Sequence, residues 1–202
     1  MSMKRNLFIG VAALSVALLF SSCAKVPQTE IDAATAAIQE AKDAGADLYV
    51  PGDFTALTDS MKSVNEAIEA AKAKIFPSYT EVKAKLSVIG QMAVDTKAKS
   101  EARQEEIKAE VQGLIDQVNA LVEEDMQLVA MAPKGKEGAA ALGAIKSEIQ
   151  VIEGSVTEAQ NMLSGGDLIP ALDKIKAAEE KAASINAELK EVIAKYSKNR
   201  KK

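Results

Sequence analysis

One stripe of apolar residues constrains this chain more than any other feature. Stepping alternately by four and three from Val82, it falls on Leu86, Ile89 and Ala93. With one repeated step of four it resumes at Ile107, Val111, Leu114, Val118, Leu121 and Leu128. Between the two runs it lands on Thr96, Ser100 and Arg103, which are polar. A spacing of about 3.5 residues held this long without proline predicts one helix, apolar at both ends and solvated in the middle. Its span is about 78–132, with the wet stretch at 95–106. At ~1.5 Å per residue such a helix is roughly 80 Å long, about twice what a compact domain needs.

Four further helices follow from the same reasoning. Thr29 is placed to cap the first, whose inner face is Ile31, Ala34, Ile38 and Ala41. Its pattern fades at Gly45, and Tyr49-Val50-Pro51-Gly52 reads as a turn. Asp53 then caps a second helix striped by Phe54, Leu57, Met61, Val64, Ile68, Ala71 and Ile75, which Pro77 stops. After the break at Pro133-Lys134-Gly135-Lys136, a fourth helix carries Leu142, Ile145, Ile149, Ile152, Val156, Ala159 and Leu163. Gly165-Gly166 ends it, and Asp167 opens a fifth bearing Leu168, Leu172, Ile175, Ala182, Ile185, Leu189, Val192 and Tyr196. Turns this short force antiparallel neighbours. The helices before Pro77 match the first half of the long helix, and those after Pro133 match the second. The expected fold is therefore all-α: two three-helix bundles in series, over 29–97 and 104–197, sharing the long central helix.

Composition agrees. Helix formers dominate, period-two runs of strand formers are missing, and aromatics make up 3% of the 202 residues. Alanine-lined helices bury little area per side chain, so the core is expected to be thin. The net charge is −4 with no basic stripe along the body, which speaks against nucleic acid as a partner. Histidine, the commonest general base and metal ligand, is absent.

The N-terminus carries a different signal. Lys4 and Arg5 precede an apolar run from Leu7 to Phe20, and Ser21-Ser22-Cys23 follows. That run is short for a membrane span and suits a secretory leader over residues 1–22. The ending Leu19-Phe20-Ser21-Ser22-Cys23 resembles the lipobox of bacterial lipoproteins, departing from it at Phe20, where an aliphatic residue is usual. The resemblance implies that Cys23, the chain's single cysteine, is acylated and becomes the new N-terminus. Acyl chains there exceed the two-signal requirement for stable attachment. Alanine at position 24 is similar to lipoproteins sent to the outer membrane, and Ala24–Gln28 forms a short tether.

Residues of about 24–97 resemble an uncharacterised all-helical domain of bacterial envelope lipoproteins. Ala41-Lys42-x-Ala44-Gly45-Ala46-x-x-Tyr49-x-Pro51, the Leu57-x-x-x-Met61 helix and Tyr79 carry the resemblance. It implies location and fold, and brings no catalytic residues. The basic tail, Lys198 to Lys202, is similar to that of Braun-type outer-membrane lipoproteins, which implies Lys202 as an acceptor for a covalent peptidoglycan link.

Other constellations point to no chemistry. Glu105-Glu106 with Glu110, and Glu123-Glu124-Asp125, read as solvated helix faces. Lys134-Gly135-Lys136 lacks the leading glycine and the Ser/Thr of a phosphate loop. No serine has a histidine partner, so no catalytic residue, metal site, cofactor or small-molecule substrate is expected. Tyr49, Phe54, Phe76 and Tyr79 gather at the two turns flanking the second helix. They read as plugs of the bundle ends or as candidate partner contacts. The expected function is a non-enzymatic, lipid-anchored periplasmic scaffold or spacer of the bacterial envelope, facing an envelope protein or peptidoglycan. The alternatives are a peptidoglycan tether through Lys202 and a holdase-type chaperone.

Overall fold

The structure is a computed structural model that describes residues 25–133 and 136–199. The described residues form six helices and no strand: α1 (Gln28–Asp43), α2 (Ala46–Tyr49), α3 (Pro51–Lys72), α4 (Thr80–Met131), α5 (Lys136–Gly165) and α6 (Leu168–Asn199). The protein is all-α. The chain divides between Ala102 and Arg103 into two compact units.

In the first unit, α1, α2, α3 and the opening turns of α4 enclose one core. Ala34 and Ala41 of α1 meet Leu57, Val64, Ile68 and Ala71 of α3 and Val82, Leu86, Ile89 and Ala93 of α4. Ile31, Ile38, Phe54 and Met61 are partly buried at its margin. The helix starts differ from expectation. α1 begins at Gln28 with Pro27 before it and no side-chain cap, so Thr29 lies inside the first turn. α3 begins at Pro51, because proline at the first helical position has its φ preset and no amide hydrogen to satisfy. The expected turn thus shrinks to Val50, and Asp53 is an acidic first-turn residue near the positive helix end rather than the cap.

The polar stretch of α4 is also corrected. Thr96 and Ser100 are buried, Ser100 with none of its surface exposed. For Ser100 the cause lies where α1 ends. Ala44 closes that helix and Gly45 turns the chain with φ 75°. The Ser100 hydroxyl donates to the Ala44 carbonyl at 2.7 Å. Lys97 pairs with Glu40 and Lys99 with Asp53 beside it. A polar face that accepts a helix terminus is as occupied as an apolar one.

The second unit packs residues 103–131 of α4 with α5 and α6. Its α4 stripe is Ile107, Val111, Ile115, Val118, Val122, Leu128 and Val129. Ile115 and Val122 lie deeper than the expected Leu114 and Leu121, since a helix of 3.6 residues per turn drifts from a strict 3.5 repeat. Facing it are Ile149, Ile152, Val156 and Ala159 of α5 and Leu168, Leu172, Ile175, Ala182, Ile185 and Leu189 of α6. The α5–α6 corner is a Schellman turn. Gly166 has φ 87°, Asp167 N–H bonds the Met162 carbonyl at 2.9 Å, and Gly166 N–H bonds that of Leu163 at 3.2 Å. Val192 and Tyr196, expected on the inner stripe of α6, are exposed, beyond the reach of the unit's core.

Candidate functional site

Cys23 and Lys202, the residues expected to carry the lipid and the peptidoglycan link, lie outside the described residues. The four aromatics are placed, and they do not form one patch. Tyr49 and Phe54 are half-buried where α2 meets α3. Phe76 and Tyr79 lie beyond the other end of α3, a helix of 22 residues or roughly 33 Å. Tyr79 is buried in the core, whereas Phe76 is 89% exposed.

Ile75 departs furthest from its expected place. The apolar stripe assigns it to the inner face of α3, yet the helix stops at Lys72, with Ala73 as its C-cap. Ile75 is 90% exposed. Ile75 and Phe76 stand side by side on the 73–79 connection. The next most exposed large apolar side chain among the described residues is Met131 at 64%.

This connection shares an end of the first unit with the start of the described chain, because α1 and α3 run antiparallel. Lys25 lines a surface hollow with Tyr79, Thr80 and Lys83. Val26 lines another with Ile68, Glu69 and Lys72. Lys83 of α4 pairs with Glu30 of α1 at 2.7 Å, and its ammonium holds the Glu30 carboxyl below the usual range. Lys72 is paired with Glu69 at 2.8 Å, which raises the lysine above its ordinary value.

An open hollow of about 560 Å³ runs along α3 and the first turns of α4. Ser60, Ser63, Val64, Val88, Ile89 and Met92 line it, with Asp59 and Lys85 at the rim. Among the described residues no group of three His, Cys, Asp or Glu side chains is arranged to hold a metal ion. No described helix is long and apolar enough to cross a membrane.

The second unit contains a feature the sequence reading misplaced. Asp125, expected on a solvated acidic face, has no exposed surface. The Asn186 amide of α6 donates to its Oδ1 at 2.8 Å, and its Oδ2 is buried with no hydrogen-bond partner among the described residues. Burial pushes the Asp125 carboxyl above its ordinary value. The Asn186 hydrogen bond opposes that shift, Glu124 adds to it and Lys190 opposes it. Next to it, Glu124 is held low, first by Lys190 at 2.8 Å and then by Asn186. The signal was present: Asp125 occupies the one step the stripe passes over between Leu121 and Leu128.

These two helical units, with a polar pair inside one and an apolar tip on the other, define an all-helical protein. No family model matches the chain, and neither a curated protein nor a solved structure matches it.

Proposed function

We propose that the protein is a non-enzymatic helical scaffold or spacer of the bacterial cell envelope, held by lipid at Cys23 and facing the periplasm from the outer membrane. The observation that carries this reading is the leader. A positive start at Lys4 and Arg5, the apolar run Leu7–Phe20 and the small residues before Cys23 follow the pattern of an export and acylation signal, with Phe20 as the departure. The chain spends its only cysteine at the position that signal requires. Helices lined by alanine, with surfaces of exposed ion pairs, suit a body that sets distance and presents surface.

The test is Cys23→Ser in the full chain. The wild-type protein is expected to incorporate labelled palmitate and to sediment with outer membranes. The variant is expected to incorporate none and to leave the membrane fraction. A wild-type protein that is unlabelled and freely soluble in the periplasm would refute the reading.

A further inference from the structure

The exposed pair Ile75 and Phe76 is costly to leave in water, since each forfeits the roughly 1.5–3 kcal/mol that burial gives a large apolar side chain. Nothing in the first unit forces it there. Pro77 ends helical propagation, and a polar pair in the connection serves the fold equally well. Two side chains on a loop tip fall far short of the ~800 Å² per partner that a stable protein interface takes. They suit a bilayer interface, where a few apolar groups enter below the headgroups and lysines reach outward beside them.

The surroundings fit that partner. Lys25, Lys62, Lys72, Lys74 and Lys83 all lie at this end, against Glu30, Glu66, Glu69 and Glu81. Glu30 and Glu69 are taken up by Lys83 and Lys72. No ion pair among the described residues engages Lys25 or Lys74, which leaves their charge available to anionic headgroups. Cys23 is two residues from Lys25, at most about 7 Å of chain.

We propose that the 73–79 connection is a second membrane contact, in which Ile75 and Phe76 enter the anionic bilayer surface beside the acyl chains of Cys23. The proposal rests on the lipid-anchor reading. The anchor alone ties the first unit to lipid at one point, whereas two contacts at one end fix which end meets the lipid.

The chain has no tryptophan, so a single introduced indole reports its own surroundings. Full-length acylated Phe76→Trp and Leu48→Trp proteins are purified in detergent and reconstituted into vesicles of phosphatidylethanolamine and phosphatidylglycerol. Both positions are exposed, and Leu48 lies at the opposite end of the unit, so circular dichroism is expected to match the wild type. Phe76→Trp emission is expected to shift to the blue and to be quenched by brominated acyl chains. Leu48→Trp emission is expected to stay red and unquenched. Floating vesicles with Phe76→Trp red and unquenched would overturn the second contact and leave the anchor standing. Blue emission without bromolipid quenching would assign the tip to a protein surface and overturn it as well. A purified N-terminus without acyl chains would overturn the anchor reading and the contact that rests on it.

Discussion

Asn186 and Asp125 are joined by a hydrogen bond of 2.8 Å between helices α6 and α4, in a layer where every neighbour on the stripe is aliphatic. Only one carboxylate oxygen is satisfied. A buried polar pair of this kind gives less stability than an apolar pair of equal volume, and it penalises any sliding of one helix along the other.

The first prediction concerns pH. Because burial raises the Asp125 carboxyl, its contribution is fully present below the ordinary aspartate value of 3.8 and is lost as pH rises through the folded value. Asp125→Asn exchanges the charge for a neutral amide of the same shape. At neutral pH the variant is expected to be more stable, with the gain fading as pH falls to the ordinary aspartate value of 3.8. The opposite dependence of Glu124 is common to both chains and cancels. Urea midpoints measured across pH check this, and a gain that does not change with pH would show that Asp125 is not the titrating group.

Separating the pair follows a different rule from replacing it. Asn186→Leu leaves a buried charge with no partner, and a loss of about 3 kcal/mol is expected. Asp125→Leu with Asn186→Leu together is expected to restore wild-type stability or exceed it. A double-mutant cycle by chemical denaturation gives the coupling directly. Additive losses would mean the two side chains are not coupled.

Ser100→Ala removes the hydroxyl that meets the end of α1. A loss of about 1 kcal/mol is expected, from one buried hydrogen bond to a carbonyl. Amide exchange of Ala44 and Gly45 is expected to accelerate more than that of mid-helix residues in α3. Uniform acceleration across the unit would instead indicate a general packing defect.

Gly45→Ala tests the turn between α1 and α2. With φ 75°, an L side chain there is strained by about 1–2 kcal/mol, and the thermal midpoint is expected to fall accordingly. Gly154→Ala is the counterpart. It lies inside α5 with open space at its Cβ, and the midpoint is expected to rise, because alanine favours a helix by about 1 kcal/mol over glycine.

The sequence revealed most where one physical signal acted alone. Val82, Leu86, Ile89 and Ala93 followed the stripe into the core because nothing competed with their periodicity. Ser100 departs from expectation because side-chain polarity suggests water, whereas its partner is a helix end distant in sequence. Asp125 differs for a related reason: the acidic Glu123 and Glu124 before it conceal the direction of a stripe position. Ile75 failed differently. Periodicity continued through it while the helix did not, because Pro77 bars helical geometry for the residue before it and the last turn yields earlier still. Cys23 is read from the leader pattern alone, because it lies outside the described residues and no feature of the fold bears on it.

The buried faces of α1, α3, α4, α5 and α6 use alanine where larger residues would serve, at Ala34, Ala41, Ala71, Ala93, Ala159, Ala171, Ala178 and Ala182. Each removes little hydrocarbon from water, and the heat capacity released on unfolding scales with that quantity. Calorimetry is therefore expected to give a value below the ~12–15 cal/mol/K per residue of ordinary domains. A smaller heat capacity flattens the curve of stability against temperature. The protein would then keep nearly constant stability between a cold and a warm environment.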